Sequence, residues 1–279
     1  MLGLDVLAAA ARAGHEPIGM TRAELDVADE HAVAAAFERC RPEAVLNCAA
    51  WTDVDGAEAQ PDAAHAVNAT GAGNLAAAAA AAGVALVHVS SDYVFDGEAP
   101  RDRAGIARAY LEADATGPRS VYGQSKLAGE RSVLAASAGH TVARSSWLFG
   151  TGGRNFAETM LRLAGERASI DVVTDQIGCP TWTGHLAPAL LGLIERDVAG
   201  LVHLAGGGHV SWNGFAREIF RQAECDCRVQ ESTSAALARP APRPAWSALE
   251  SERGDVLPLP PWQDGLAGYL AARAGMMRP

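Results

Sequence analysis

Short apolar runs alternate with longer segments of helical periodicity along the first half of the chain. Three of these runs contain β-branched residues and predict buried strands, at 43–50, 84–91 and 140–149. The periodic segments predict helices at 4–13, 29–40, 61–82 and 120–138. Residues 16–20 predict one further short strand. Strands and helices that alternate at this spacing predict an α/β fold built on a doubly wound parallel sheet.

The alternation loosens after residue 150. Further helices are predicted at 155–166, 186–196, 212–223 and 262–272, and strands at 170–174 and 201–204. Prolines in the tract 238–247 disfavour helix at the residues before them, so this tract is predicted to be extended. We therefore expect one domain over residues 1–150 and a smaller C-terminal lobe over 151–279, with segments of the lobe returning to the first domain.

Composition and charge narrow the kinds of partner. The chain has 279 residues, of which 49% are hydrophobic and 20% charged, as in ordinary globular proteins. Its net charge of -10 argues against nucleic acid or an anionic membrane surface as partner, because both require clustered Lys and Arg. The longest apolar run, 75–87, is interrupted by Gly83 and is shorter than the roughly 20 residues that span a bilayer. Neither a membrane segment nor an export signal is predicted.

The cysteines bear on compartment and metal binding. There are five, an odd number, and they lack the spacing of zinc ligands. Cys225 and Cys227 form the closest pair, and without a second pair they predict a surface turn. Free thiols are typical of a reducing compartment, so we predict a cytoplasmic location and no metal site.

A candidate catalytic group lies between residues 84 and 126. Tyr122 and Lys126 are four positions apart on a predicted helix, so both side chains lie on one face. A cation beside a phenol stabilises the phenolate and is expected to lower its pKa toward the working range of a proton donor. Ser91 ends a predicted strand, at the edge of the sheet where parallel α/β folds bind ligands, and could orient a substrate carbonyl.

The start of the chain differs from a complete dinucleotide-binding fold. Such a fold begins with an apolar strand and a glycine-rich turn whose backbone amides meet the pyrophosphate at a helix N-terminus. Here only Met1 and Leu2 precede Gly3, which matches the last glycine of such a turn. We therefore expect the first strand and most of the turn to be missing and cofactor binding to be weakened.

Eight sequence blocks occur in a recognisable order, at 22–27, 47–58, 89–97, 121–130, 144–150, 155–156, 175–181 and 243–247. The most specific of them reads Ser91-Asp92-Tyr-Val-Phe-Asp-Gly97, whereas a Tyr-x-x-x-Lys pair alone occurs often by chance. Through these blocks the chain resembles the dTDP-4-dehydrorhamnose reductase family of extended short-chain dehydrogenases/reductases over nearly its whole length. The resemblance implies a Rossmann-like dinucleotide-binding domain over residues 1–150 and a substrate-binding lobe after it.

The resemblance also implies a reaction and a dTDP-sugar substrate. The C4 ketone of a dTDP-linked 4-keto-6-deoxyhexose would be reduced, giving dTDP-L-rhamnose for cell-surface polysaccharides. Tyr122 would protonate the new alkoxide, Lys126 would tune the phenol and bind the nicotinamide ribose, and Ser91 would hold the carbonyl oxygen. Asp92 and Trp147 match positions that line the sugar site. Arg243, in the last block, is expected to reach the nucleotide portion of the substrate.

Cofactor contacts are implied in the same way. The positions that match are Gly3, Asp26, Val27, Ala50, Trp51 and Thr52, with Tyr122 and Lys126 on the nicotinamide side. Thr21 and Arg22 follow the second predicted strand position, where a basic residue accommodates the NADP phosphate and an acidic one favours NAD. We therefore expect NADPH, with use of NADH left open.

Each site residue also has a structural interpretation. Tyr122 with Lys126 could be a solvated helix pair, Ser91 a strand-end cap, Trp147 a core aromatic and Asp26 the cap of the following helix. His88 and His203 are expected to be hydrogen-bonded strand histidines. Two other functions stay open: a non-catalytic NADP-binding regulatory subunit resembling the β subunit of methionine adenosyltransferase, and an inactive truncated reductase. The oligomeric state is also open, a homodimer being one option.

Overall fold

The computed structural model describes residues 1–276. Within that range the helices are α1 (Leu2–Arg12), α2 (Glu30–Cys40), α3 (Val54–Ala59), α4 (Pro61–His65), α5 (Ala72–Ala82), α6 (Val121–Ala136), α7 (Phe156–Ala164), α8 (Thr183–Glu195), α9 (Trp212–Gln222), α10 (Ser234–Leu237) and α11 (Trp262–Met276). The strands are β1 (Ala44–Asn47), β2 (Ala85–Ser91), β3 (Thr141–Ser145), β4 (Leu148–Phe149), β5 (Ser169–Val173), β6 (Ile177–Gly178), β7 (Thr181–Trp182), β8 (Gly200–His203), β9 (Val210–Ser211) and β10 (Arg228–Ser232). A π-helical segment, Ala66–Gly71, joins α4 to α5, and Asp92–Val94 form a 3-10 turn.

The central sheet consists of parallel strands in the order β1, β2, β3, β8. Leu86 and Val87 are neighbours in β2 and therefore face opposite sides of the sheet. Leu86 packs into a core with α2 and α5, whereas Val87 packs into a core with α1 and α8. Helices thus cover both faces, and the expected α/β fold with a doubly wound, Rossmann-like parallel sheet is confirmed.

A separate apolar core lies among the later elements. Helices α7, α9 and α11 pack around it, β5 contributes Ile170 and Val172, and its parallel partner β10 packs Val229 against it. Strand β8 does not belong to this group, because it pairs with β3 and completes one edge of the central sheet. Residues after 150 therefore contribute to both cores, and the division into two domains stays a prediction.

The first forty residues differ from the sequence prediction in one element. The strand predicted at 16–20 is wrong: the segment is irregular and Ile18 is 64% exposed. A strand needs a neighbour for its backbone groups, and this segment pairs with no strand in the part of the chain that the structure describes. The first element is α1, without a preceding strand within residues 1–276.

Helix α6 comes close to two other segments through its glycines. A Cβ on Gly123 would lie 2.2 Å from the carbonyl oxygen of Tyr93, and one on Gly129 would lie 2.1 Å from the carbonyl oxygen of Asn68. Ser120 caps the helix by accepting a hydrogen bond from the Gly123 N–H. Because glycine has no side chain, the helix lies directly against the 3-10 turn after β2 and against the π-helical segment.

Replacing Gly129 by alanine is expected to destabilise the fold by about 1–3 kcal/mol, because the added methyl group overlaps the Asn68 carbonyl and α6 must move. Urea denaturation followed by circular dichroism measures the loss. Gly73→Ala on the facing helix α5 is the matched control. A Cβ there would lie 3.4 Å from the Ser132 Cβ, so this variant should be neutral or slightly stabilised. Equal stabilities of the two variants would contradict the close packing of α6.

Candidate active site

Strand β2 ends at Ser91, on the carboxyl edge of the sheet. The Ser91 hydroxyl donates a hydrogen bond to Asp92 Oδ1 at 2.9 Å and accepts one from the Tyr93 N–H at 3.2 Å. The strand-end cap expected as an alternative is therefore present, since Ser91 caps the 3-10 turn that follows. Ser91 is 7% exposed and lies at the edge where parallel α/β folds bind ligands.

Asp92 is a buried carboxyl with one unused oxygen. The residue is 2% exposed, and its Oδ2 has no hydrogen-bond partner among residues 1–276. Burial raises the pKa of Asp92 to about 6, against the opposing effect of the nearby Ser247 and Ser91 hydroxyls. A buried acceptor without a partner is costly, so Oδ2 is suited to receive a hydrogen bond from a ligand hydroxyl.

Tyr122 is the second residue of α6, and its ring meets Tyr93 edge-on with 5.4 Å between centroids. Burial raises the pKa of the Tyr122 phenol to about 12, and the nearby Ser91 hydroxyl limits this rise. The expected lowering of this pKa by Lys126 is not seen in this arrangement, because burial has the larger effect and Lys126 Nζ donates to the Val89 carbonyl. Tyr122 is therefore protonated at neutral pH, the form that a proton donor requires.

Lys126 lies one turn further along α6 and is 1% exposed. Its Nζ donates a hydrogen bond to the Val89 carbonyl at 2.7 Å and lies 3.3 Å from His88 Nε2. Burial lowers the pKa of Lys126 to about 8, while Glu130 and Cys48 oppose this effect. The interpretation as a solvated surface residue is thus wrong for Lys126.

His88 is fully buried below this lysine. The sheet register pairs it with Asn47 on β1, and the Asn47 Nδ2 lies 2.9 Å from His88 Nδ1. The Asn47 Oδ1 accepts a hydrogen bond from the Ala49 N–H at 2.9 Å. His88 is therefore a hydrogen-bonded strand histidine, as expected, but one of its partners is the candidate catalytic Lys126.

A buried ion pair joins α6 to β3, and a serine of β2 donates to the same carboxylate. Arg144 on β3 donates to both carboxylate oxygens of Glu130, at 2.8 and 2.7 Å, and the Ser90 hydroxyl donates to Glu130 Oε1 at 2.6 Å. The side chains of Arg144 and Glu130 are 4% and 3% exposed. His203, on β8, lies 3.5 Å from the Arg144 guanidinium through its Nε2. This pair fixes the helix that carries the tyrosine and the lysine.

The loop after β1 lies beside both α1 and α6. A Cβ on Gly3 would lie 3.9 Å from the Cys48 Cβ, which places the first turn of α1 next to this loop. The Trp51 N–H donates to Asn68 Oδ1 at 2.8 Å, and Asn68 Nδ2 donates to the Ser125 hydroxyl at 2.9 Å. The predicted cofactor residues Ala50, Trp51 and Thr52 are thereby tied through the π-helical segment to α6.

The other predicted cofactor residues lie further from this centre. Arg22 is exposed in a turn, and the Asp26 carboxylate accepts a hydrogen bond from the N–H two residues on, at 3.0 Å. The suggestion that Asp26 caps the following helix is wrong, since Asp29 accepts the capping hydrogen bonds of α2. Val27 packs tightly on the π-helical segment: a Cβ on Gly71 would lie 2.6 Å from its Cγ2.

Trp147 occupies an unusual backbone conformation next to β4. Its φ is 48°, in the left-handed region, where strained residues tend to cluster at functional sites. The indole stacks on Trp212 at 3.4 Å between centroids, and a Cβ on Gly178 would lie 2.5 Å from it. Trp147 therefore packs against another aromatic residue, as its structural interpretation expected, and this packing is compatible with a role in ligand binding.

Arg243 forms an ion pair with α3. Its guanidinium donates to both carboxylate oxygens of Asp55, at 2.6 and 3.0 Å, and the Ala241 N–H donates to the same group at 3.1 Å. The hydrogen bond from Arg243 lowers the pKa of Asp55. Because Asp55 follows the Trp51 loop closely, Arg243 holds the proline-rich tract against the predicted cofactor side of the molecule.

Several residues with direct contacts to the site were not assigned from the sequence: Asn47, Asp55, Glu58, Asn68 and Trp212. Glu58 accepts a hydrogen bond from the Val121 N–H at the start of α6, at 2.9 Å. Polar residues inside apolar runs are the signal that could have identified Asn47 and Asn68, because a buried amide needs partners. Lys126 was assigned from its spacing to Tyr122, and a further signal for it is that it is the only lysine among the 23 Lys and Arg residues of the chain.

These residues fit the binding of a dinucleotide. The first turn of α1 offers backbone N–H groups next to the loop after β1, a setting suited to phosphate. Burial raises the pKa of Cys48 to about 12, and the positive charges of Lys126 and the Met1 amino group oppose that rise. Among residues 1–276 no group of three or more His, Cys, Asp or Glu side chains could hold a metal ion. No helix in this range has the length and apolarity to cross a membrane.

Comparison with known proteins places the chain among reductases. The family model described as RmlD substrate binding domain matches residues 1–274. The dTDP-4-dehydrorhamnose reductase of Mycobacterium tuberculosis is 45% identical over 282 residues, which cover 98% of this chain and 90% of that protein. The crystal structure of a dTDP-4-dehydrorhamnose reductase from Clostridium acetobutylicum superposes with a TM-score of 0.91 at 37% identity, covering 98% of this chain and 96% of that one.

A further crystal structure is that of dTDP-4-dehydrorhamnose reductase from Bacillus anthracis in complex with NADP. It superposes with a TM-score of 0.91 at 33% identity and covers 97% of this chain and 95% of that one. The comparisons do not support the prediction that a first strand and most of a glycine-rich turn are missing. By its match over residues 1–274 and its identity to characterised relatives over nearly its full length, the chain belongs to the dTDP-4-dehydrorhamnose reductase family.

Proposed function

We propose that this chain reduces the C4 ketone of dTDP-4-dehydro-L-rhamnose to dTDP-L-rhamnose, with NADPH as the reductant. The observation that carries the proposal is the meeting of the Ser91 hydroxyl, the protonated Tyr122 phenol and the buried Lys126 at the carboxyl end of β2. Residues 1–150 would bind the dinucleotide, and the later lobe would bind the sugar nucleotide. A cytoplasmic location and a homodimer stay predictions.

Proton transfer falls to Tyr122. The reduced nicotinamide, when bound, supplies the hydride for the carbonyl carbon. As the C4 carbonyl becomes an alkoxide, the Tyr122 hydroxyl donates its proton to that oxygen. Ser91 orients the same oxygen, since rotation of its hydroxyl redirects the hydrogen now donated to Asp92. Lys126 retains N–H groups beyond its bond to the Val89 carbonyl, and these suit the hydroxyls of the nicotinamide ribose.

The proposed substrate contacts follow from groups with unused capacity. Asp92 Oδ2 accepts a sugar hydroxyl, because it is buried and has no partner in the described chain. Trp147 offers an aromatic surface held by its stack on Trp212. Arg243, which is paired with Asp55, would exchange that carboxylate for a phosphate when the sugar nucleotide binds.

The proposed dinucleotide contacts are Gly3, Arg22, Asp26, Val27, Ala50, Trp51 and Thr52. Among these, Arg22 would decide between the two nicotinamide cofactors, because its guanidinium is exposed and able to meet a ribose 2′-phosphate. The proposal is tested by mixing the protein with dTDP-4-dehydro-L-rhamnose and NADPH and following nicotinamide absorbance and the sugar product. Absence of turnover in a protein that binds both ligands would refute it.

Tyr122→Phe is expected to lower kcat by about 100- to 10,000-fold, because it removes the proton donor and keeps the ring. Substrate and NADPH affinities should stay within a few-fold, as measured by calorimetry. Tyr269→Phe is the matched control: its hydroxyl also donates a hydrogen bond inside the protein, to Glu158 at 2.7 Å, but on α11. A normal rate in Tyr122→Phe would remove this residue from the mechanism.

Arg22→Ala is expected to weaken NADPH binding by about 10- to 100-fold through loss of charge-assisted hydrogen bonds to the 2′-phosphate. NADH binding should hardly change, because NADH lacks that phosphate. Arg12→Ala removes the same charge from an exposed position at the end of α1 and should alter neither affinity. Equal loss of affinity for NADH and NADPH in Arg22→Ala would contradict the assigned role.

Asp92→Asn tests the buried carboxyl in two ways. Folding raises the pKa of Asp92 from 3.8 to about 6, so its ionisation destabilises the protein fully above about pH 6 and not at all below about pH 4. The variant should therefore be more stable than the parent at pH 7, by up to about 3 kcal/mol, and the difference should vanish as the pH falls through that window. Its affinity for the sugar nucleotide should fall.

Thermal unfolding at several pH values measures this effect. Asp114→Asn is the control of opposite sign, since the hydrogen bonds from Arg108 lower the pKa of Asp114. Stability carried by Asp114 is present at neutral pH and lost as the pH falls, so this variant should be less stable than the parent at pH 7. A pH-independent effect of Asp92→Asn would rule out a raised pKa at this carboxyl.

A further inference from the structure

The hydrogen-bond network below Lys126 fixes the position of a proton. The Ala49 backbone N–H lies 2.9 Å from Asn47 Oδ1 and can only donate, so the oxygen of this side-chain amide must face it. The amide nitrogen then faces His88 Nδ1 at 2.9 Å. An NH₂ group also only donates, and Nδ1 must therefore be the acceptor, without a hydrogen of its own.

A neutral imidazole whose Nδ1 accepts carries its hydrogen on Nε2. The Nε2 of His88 lies 3.3 Å from Lys126 Nζ. An ammonium group has no lone pair for this N–H, whereas a neutral amine has one. A neutral Lys126 accepts from His88, donates to the Val89 carbonyl at 2.7 Å and keeps one N–H for a ligand. The neutral amine is thus the form that satisfies every hydrogen bond in this pocket.

His203 shows the opposite arrangement in the same sheet. Its Nδ1 lies 3.1 and 3.0 Å from the carbonyl oxygens of Tyr110 and Glu250, so this nitrogen must carry the hydrogen. The Nε2 of His203 is then an acceptor and faces the guanidinium of Arg144, a permanent cation, at 3.5 Å. Beside Lys126 the imidazole presents a donor instead, and Asn47 is the residue that imposes this difference.

We propose that Asn47 and His88 are positioning residues for Lys126: Asn47 fixes the His88 hydrogen on Nε2, and this N–H, directed at Nζ, holds the lysine as a neutral amine until the dinucleotide binds. The proposal rests on the proposed function only in that Lys126 belongs to the active site. It assigns a task to two buried residues that are not among the proposed substrate and cofactor contacts.

Burial and the His88 dipole favour the neutral amine, whereas the nearby acidic groups oppose it. Burial lowers the pKa of Lys126 to about 8, and the N–H dipole of His88 acts in the same direction. Two other titratable groups face the lysine, Glu130 on its own helix and Cys48 after β1, and both favour the ammonium. Burial and the neighbouring lysine keep the pKa of His88 well below its ordinary value, so His88 stays neutral.

Nuclear magnetic resonance of the whole protein, without added nucleotide, tests the proposal directly. Nitrogen shifts of labelled histidine distinguish the two imidazole tautomers. His203 and His140 are internal references, because His203 must carry its hydrogen on Nδ1, and His140 Nε2 lies 3.0 Å from the Ala76 carbonyl and must donate. His88 is expected to show hydrogen on Nε2. Hydrogen on Nδ1 would overturn the proposal.

The protonation of Lys126 is read in the same sample. Lys126 is the only lysine of the chain, so lysine labelled at its ε-carbon gives one side-chain signal without further assignment. Burial lowers the pKa of Lys126 to about 8, and the His88 N–H is expected to lower it further, so the titration midpoint of this signal is expected below neutral pH. A midpoint of about 8 or above would leave the ammonium dominant at neutral pH and would overturn the proposal whatever the tautomer of His88.

Asn47→Asp is expected to reverse the donor and acceptor roles of the two His88 nitrogens. One carboxylate oxygen still accepts from the Ala49 N–H, and the other accepts from His88 Nδ1, which must then take the hydrogen. His88 Nε2 becomes an acceptor, and the Lys126 midpoint should rise by about 1 to 3 pH units. An unchanged His88 tautomer would refute the role of Asn47. If this variant does not fold, the two measurements on the unmodified protein still decide the proposal.

Activity gives a separate readout. In Asn47→Asp the basic limb of the kcat/KM profile for NADPH against pH, which reports the enzyme without bound cofactor, should move upward by the same shift that the lysine signal shows. A merely structural role of Asn47 would lower the rate at every pH without moving this limb. The protein could show the expected His88 tautomer and Lys126 midpoint and still fail to turn over dTDP-4-dehydro-L-rhamnose. That result would refute the proposed function but would leave the positioning role of Asn47 and His88 standing.

Discussion

The ion pair between Glu130 and Arg144 is the interaction on which the site depends. Both side chains are buried, and their cost in desolvation is offset because every carboxylate oxygen is hydrogen-bonded, with Ser90 as a third donor. Glu130 lies four residues after Lys126, which lies four after Tyr122, so the three side chains share one face of α6. A helix fixed to β2 and β3 through Glu130 thereby also fixes the height and rotation of the proton donor above the strand end.

Much of this architecture could be predicted from sequence because it follows from local rules. The alternation of apolar runs and helical segments gave the sheet, and the four-residue spacing placed Tyr122 and Lys126 on one face. Ser91 was located by a strand that ends on hydroxyls. The strand predicted at 16–20 failed for a non-local reason: a strand requires a partner, and apolar pattern alone does not supply one.

The parts of the site that could not be predicted depend on contacts between distant segments. Arg243 was expected to face a ligand, and its side chain is bound to Asp55, which is 188 positions away. The expected depression of the Tyr122 pKa rested on spacing along the helix, whereas burial, which the spacing does not reveal, raises this pKa. His88 was interpreted correctly as a bonded histidine, but its tautomer follows from the backbone N–H of Ala49 through Asn47. No sequence pattern contains that information.

Burial shifts three titratable groups of this site toward their neutral forms. It raises the pKa of Asp92 to about 6 and that of Tyr122 to about 12, and it lowers the pKa of Lys126 to about 8, so each is shifted toward its neutral form. A dinucleotide brings negative phosphates and ribose hydroxyls into such a site, and both favour the ammonium form of Lys126 over the amine. The positive charge of Lys126 is therefore linked to occupancy of the cofactor site.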